Sequence, residues 1–223
     1  MMDNLPAVEI NPSSPHQATI IWLHGLGADG HDFEAIAPHL QSQVPIPIRF
    51  VFPHAPRRPI TINGGYIMRA WYDIAAANLS REEDSRGIHE SARQLDILIQ
   101  REIGSGIDAR RIVLAGFSQG GAIVLHTGLR YPQRLGGILA LSTYLPLAAT
   151  VAAEIHPANR DTPIFMGHGD QDPIVPMPHA LKSKKLLQEL GFTVEWRSYG
   201  MPHSVCDEEV NDIATWLAHV LEA

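Results

Sequence analysis

Gly116-Phe117-Ser118-Gln119-Gly120-Gly121 places one serine between glycines two positions away on either side, the spacing of a nucleophile elbow. The residues before it, Arg111-Ile112-Val113-Leu114-Ala115-Gly116-Phe117, make a short, β-branched and almost wholly apolar run, as a strand buried on both faces requires. The chain from Ala122 to Tyr131 reads as a helix that stops before Pro132. A serine between strand and helix needs a sharp turn, strained unless its neighbours carry little side chain, and Gly116 and Gly120 supply that room. The pattern G-x-S-x-G recurs by chance in many chains. The strand-turn-helix setting is what makes Ser118 a candidate nucleophile.

Outward from this turn, apolar runs and helical patterns alternate along the chain, which predicts an α/β fold with a largely parallel sheet and helices on both faces. The expected strands are 19–23, 49–52, 111–117, 137–141, 164–166 and 193–199; the expected helices are 33–41, 82–103, 119–130, 180–190 and 208–221. In the last helix Val210, Ile213, Ala214, Leu217 and Val220 recur at helical spacing, so that face is expected to pack on the sheet. Residues 53–79 break the alternation with Pro53, Pro56, Pro59 and an Asn63-Gly64 turn signal. A small hairpin is expected there, ending in a substrate-facing stretch around Trp71 and Tyr72. The competing expectation is that these two aromatics cap the core.

A chain of 223 residues without a linker or composition break suits one domain, residues 1–223. With 17 basic against 24 acidic residues and a net charge of −7, binding to nucleic acid or an anionic membrane is disfavoured. A small neutral or weakly charged substrate fits better. Cys206 is the only cysteine, so no intrachain disulfide can form, which suits a reducing compartment. No segment approaches the roughly 18–20 apolar residues needed to span a bilayer, and the N-terminus lacks a basic flank followed by an apolar run. A cytoplasmic protein with no integral membrane segment is expected.

A serine hydroxyl needs a base within hydrogen-bond reach and a third group to orient that base. On a nucleophile-elbow sheet the acid and then the base follow the serine, on loops at the carboxyl ends of later strands. The chain offers Gly167-His168-Gly169-Asp170-Gln171-Asp172 after one strand and Met201-Pro202-His203 after the last. Ser118, Asp172 and His203 therefore stand in the expected order. Among the 12 histidines, His203 stands apart in the loop just after the final strand; His126 lies within a helix, His54, His156, His179 and His219 are less suitably placed, and His168 is expected to support the acidic loop. Asp170 competes with Asp172 and would bond its own turn, whereas Asp172 lies farther along, where it could meet His203.

Acyl transfer also needs N–H donors for a developing oxyanion. Gln119, opening the helix after the nucleophile, supplies one; Leu26, in the turn His24-Gly25-Leu26-Gly27 after the first strand, is the best candidate for the other. That turn also matches G-x-G-x-x-G through Gly30, but the acidic residue expected about 20 positions on is absent, so a dinucleotide site is not supported. No Cys cluster, H-E-x-x-H or histidine spacing marks a metal site. No metal and no organic cofactor is expected. Trp71, Phe117, Ile174 and Val175, with Leu26, are the expected apolar walls of an acyl pocket.

Leu23-His24-Gly25-Leu26-Gly27, Gly64-Gly65-Tyr66, Trp71-Tyr72-Asp73, the Ser118 stretch, Gly169-Asp170-Gln171-Asp172-Pro173 and Met201-Pro202-His203 together resemble the bacterial carboxylesterase and acyl-protein thioesterase family. The likeness spans nearly the whole chain. It implies an α/β-hydrolase fold without a large lid domain, and hydrolysis of carboxylic esters, with thioesters, lysophospholipids or acylated proteins as substrates of some members. It assigns Ser118, Asp172 and His203 to the triad and Leu26 and Gln119 to the oxyanion hole, and it admits a homodimer. The leading expectation is a carboxylesterase for small to medium acyl chains. The alternatives are an acyl-protein thioesterase or lysophospholipase, and a non-catalytic binding protein on the same scaffold.

Overall fold

Strands with two buried faces need helices above and below, and the alternating apolar runs meet that need. The computed structural model describes residues 5–76 and 83–222. Its elements, in chain order, are β1 (Ala7–Ile10), β2 (Ala18–Leu23), α1 (Ala37–Gln43), β3 (Ile48–Pro53), β4 (Arg57–Ile60), β5 (Tyr66–Arg69), α2 (Ser85–Gly104), β6 (Ile112–Phe117), α3 (Gln119–Arg130), β7 (Gly137–Leu141), α4 (Val151–Glu154), β8 (Ile164–Gly169), α5 (Met177–Glu189), β9 (Val194–Tyr199) and α6 (Asp207–Glu222). The described residues form a seven-stranded sheet in the order β1-β3-β2-β6-β7-β8-β9. Every pairing in it is parallel except that of β1 with β3. This is the α/β-hydrolase fold, and the described residues include no separate lid domain.

Residue alternation divides the core in two. Ile21, Leu23, Val51, Leu114, Ala140 and Met166 face α2, α3 and α5, while Ile20, Trp22, Phe50, Val113, Leu139 and Phe165 face α1 and α6. The parallel strands all present their carboxyl ends at one edge, so the loops after β2, β6, β8 and β9 gather there.

Several boundaries differ from expectation for identifiable reasons. The predicted helix 33–41 is a 3-10 turn, Glu34–Ile36, followed by α1; Pro38 has no N–H to give and so sits in the first turn of α1. Strand β8 runs on through Gly167-His168-Gly169, held by pairing with Arg197, Ser198 and Tyr199. Asp84 caps α2 by accepting the Gly87 N–H at 2.9 Å; position 82, where that helix was expected to begin, and the end of the 53–79 segment lie outside the described residues. The hairpin forms as expected, β4 against β5, with Gly64 and Gly65 at φ 66° and 80°.

Strand β1 was not expected, because Ala7-Val8-Glu9-Ile10 carries no strong local signal. It is held by ions contributed from far along the chain. Glu9 accepts from Arg49 at 2.8 Å and Arg101 at 2.9 Å, and Arg49 also reaches buried Glu102 at 3.3 Å.

Candidate active site

The elbow has the geometry its sequence demands. Ser118 stands between β6 and α3 with φ 54° and ψ −119°, a conformation that L-residues avoid unless their surroundings impose it. The surroundings do so here. The Ser118 N–H donates to Leu141 O at 2.8 Å, its carbonyl accepts from Ala122 N–H at 3.1 Å, and Thr143 Oγ1 donates to the same carbonyl at 2.6 Å. A Cβ on Gly116 would lie 2.5 Å from Gly120 C, and one on Gly120 would strike Leu23 O.

The acid and base meet. His203 Nδ1 donates to Asp172 Oδ2 at 2.6 Å, which fixes the proton on Nδ1 and leaves Nε2 as the acceptor nitrogen. Asp172 Oδ1 accepts from the N–H groups of Ile174 and Val175 at 2.8 and 2.9 Å. Asp172, rather than Asp170, therefore bonds its own turn, and it uses the remaining oxygen for His203; Asp170 is exposed. His168 supports the loop as expected, Nε2–H donating to Val175 O at 2.8 Å. Burial lowers the His168 pKa, so its 3.6 Å approach to Asp172 is that of a neutral ring. Phe117, next to the nucleophile, packs its ring 4.7 Å from that of His203.

The turn after β2 closes on the same point. A Cβ on Gly25 would come 3.4 Å from Ser118 Cβ, so the Gly25-Leu26 backbone lies against the nucleophile. His24 shapes this turn: Nδ1–H donates to Gly25 O at 2.7 Å and Nε2 accepts from Ala55 N–H at 3.0 Å. Acceptance at Nε2 requires the neutral ring, and burial holds its pKa down at about 4. Gly27 N–H then donates to Arg69 O at 2.9 Å, tying the turn to the β4–β5 hairpin. Among the described residues no hydrogen bond takes up the Leu26 N–H. The Gln119 N–H, at the first position of α3, has no partner within the helix. The arrangement thus offers two free N–H groups beside a strained serine, with an oriented imidazole nearby.

The expected pocket walls fare differently. Ile174 is 61% exposed; Phe117 is half-buried against Phe33 and His203. Val175 is buried, and its backbone N–H serves the site by donating to Asp172. Trp71 has 0% exposure and is corrected from wall to anchor: its indole N–H donates to His24 O at 2.9 Å and its backbone N–H to Gln119 Oε1 at 2.7 Å. Gln119 Nε2 in turn donates to Tyr72 O at 2.7 Å. This side-chain role of Gln119 was missed, since the sequence pointed only to its N–H. Tyr72 and Tyr144 join hydroxyls at 3.0 Å, and Tyr144 lines a cavity of about 200 Å³ with Glu83, Leu145, His179, Lys182 and Leu186.

Comparison with known proteins identifies the family. The family model described as Phospholipase/Carboxylesterase matches residues 4–221. The acyl-protein thioesterase 1 of Gibberella zeae is 44% identical over 214 residues, covering 92% of this chain and 91% of that protein. The acyl-protein thioesterase 1 of Neurospora crassa is 43% identical over 226 residues, covering 97% and 92%. Among solved structures, acyl-protein thioesterase 2 of Zea mays superposes with a TM-score of 0.84 at 30% identity, covering 97% of this chain and 99% of that one. SOBER1 of Arabidopsis thaliana gives 0.84 at 31%, covering 92% and 99%. These relatives are fungal and plant proteins, so the restriction to bacteria in the sequence resemblance is not supported. The match across nearly the full chain, with these identities, places the protein in the phospholipase/carboxylesterase family of serine hydrolases.

Proposed function

We propose that the protein is an acyl hydrolase that works through an acyl-enzyme on Ser118, with acyl thioesters on proteins as its leading substrate class. The observation that carries the chemistry is the 2.6 Å bond from His203 to Asp172, on loops gathered at the sheet edge where Ser118 projects. His203 Nε2 takes the serine proton as Oγ attacks the acyl carbonyl, and the Leu26 and Gln119 N–H groups receive the oxyanion. Protonated His203 then gives its proton to the leaving thiol or alcohol. Water repeats the attack on the acyl-enzyme, and Asp172 keeps the imidazole in its productive tautomer throughout. The leading substrate class rests on the full-length acyl-protein thioesterase relatives.

Oxygen esters are the second reading, favoured by the family description and by a triad indifferent to the leaving atom. Hydrolysis of matched ester and thioester series of increasing acyl length separates the two. Ser118→Ala is expected to lower turnover by several orders of magnitude on either substrate. Unchanged hydrolysis in that variant would exclude the mechanism, and a preference for short oxygen esters would put the carboxylesterase reading first.

A further inference from the structure

The first turn of a helix favours carboxylates that face solvent, and Asp207 and Glu208 at the start of α6 are exposed accordingly. Glu209, the next residue, turns inward. Its exposure is 0%, and neither carboxyl oxygen has a hydrogen-bond partner among the described residues. The carboxyl fills the place that a side chain at residue 167 would need, since a Cβ on Gly167 would fall on Glu209 Oε1. Gly167 pairs with Leu141 and Arg197 in the sheet, and its carbonyl accepts from Ser142 N–H at 2.8 Å. Strand β8 leads directly into the Asp172 loop, and the His203 loop leads directly into α6. Glu209 is thus a wedge between the element that carries the acid and the element that carries the base.

Among the described residues no cation answers it. On α6 the neighbouring charge is Asp212, which accepts the Tyr199 hydroxyl of β9 at 2.9 Å. Arg197 of β9 is exposed and paired with Glu195. His39 of α1 bonds Asn211 at 2.9 Å. Strand β8 presents Phe165 and Gly167 on this face, neither of which titrates.

We propose that Glu209 is a positioning residue for hydrolysis: as a neutral acid wedged against Gly167 it keeps the Asp172 and His203 loops in register, and its ionisation breaks that register. The inference rests on the hydrolase reading above. Burial, reinforced by Asp212, pushes the Glu209 carboxyl up to about 8, so the neutral form holds at neutral pH. A carboxylate formed there has no counter-ion and must draw in water or push α6 off β8.

The test is the pH dependence of kcat and KM on one chromogenic ester for the wild type, Glu209→Gln and Asp212→Asn. Gln keeps the shape of the neutral acid and cannot ionise. Wild-type kcat is expected to fall about tenfold between about pH 7 and about pH 9 with KM little changed, and Glu209→Gln to hold its kcat within about twofold over the same range. Asp212→Asn, which removes the charge that raises the Glu209 pKa, is expected to move the alkaline fall to lower pH. An identical alkaline limb in wild type and Glu209→Gln, no limb in the wild type, an unmoved limb in Asp212→Asn, or a well-folded Glu209→Gln inactive at every pH would each overturn the proposal. Failure of the hydrolase reading itself shows separately, as Ser118-independent turnover.

Discussion

Ser118 holds a backbone conformation that costs on the order of 1–3 kcal/mol, and the groups that impose it are few enough to name. Thr143 and Leu141 pin its carbonyl and N–H. Gln119 pins the other side through its amide, which receives the Trp71 N–H and donates to Tyr72 O. With a buried Gln119, those two backbone groups have no water to fall back on. Gln119→Ala is therefore expected to cost about 3 kcal/mol, since each stranded buried group is worth roughly 1–3 kcal/mol. Because Trp71 also holds the His24 carbonyl, the loss should reach the oxyanion turn. Thermal melts and steady-state kinetics on the purified variant check both points: a lower melting temperature with a reduced kcat is expected. A variant as stable as the wild type would show that the amide bridge adds little.

The elements depend on glycine in two different ways. At Gly116 a Cβ would meet the Gly120 backbone at 2.5 Å, so strand and helix can approach only without a side chain. At Gly64, in the hairpin turn, nothing lies within 4 Å of the added carbon, and the objection is the φ of 66° alone. Gly116→Ala is expected to remove both activity and soluble expression. Gly64→Ala is expected to cost about 1 kcal/mol and leave the fold intact, as melting curves of the pair would show. The same contrast explains what the sequence made legible. The Ser118 turn and the hairpin were readable because local chemistry dictates them, and Asp172 could be paired with His203 because each stands in a loop just after a readable strand. Strand β1 was not, because Glu9 is held by Arg49 and Arg101, partners no local window contains. The inward turn of Glu209 escaped for a similar reason. Val210, Ile213 and Leu217 announced the apolar stripe of α6, and only the tertiary packing shows a carboxyl at its edge, filling space that Gly167 leaves.

Buried titratable groups on opposite sides of the sheet set the pH at which the fold is most stable. Burial holds His24 at about 4 and His126 at about 3, against 6.5 for an ordinary histidine, and it lowers His168 as well. Below pH 6.5 the unfolded chain takes up protons that these folded rings refuse. Their contribution is full above that pH and is lost as pH falls through the folded values. Glu209 acts in the opposite sense. The folded chain keeps its proton up to about 8 while the unfolded chain releases it near 4.5, so its contribution is full below 4.5 and is lost as pH rises towards 8. For His24, His126 and Glu209 the effect is on the order of a few kcal/mol each. Between 4.5 and 6.5 His24 and His126 together outweigh the one glutamate, and stability climbs. Above that window only Glu209 among these groups still titrates, and stability declines. Melting temperatures measured from about pH 4 to about pH 9 should therefore peak near pH 6.5. Glu209→Gln should flatten the upper flank. His126→Leu should make the lower flank shallower, since His126 Nδ1 is buried with no hydrogen-bond partner among the described residues and leucine leaves nothing stranded. A melting temperature that rises steadily through pH 8 would mean that Glu209 is already ionised and solvated in the folded protein.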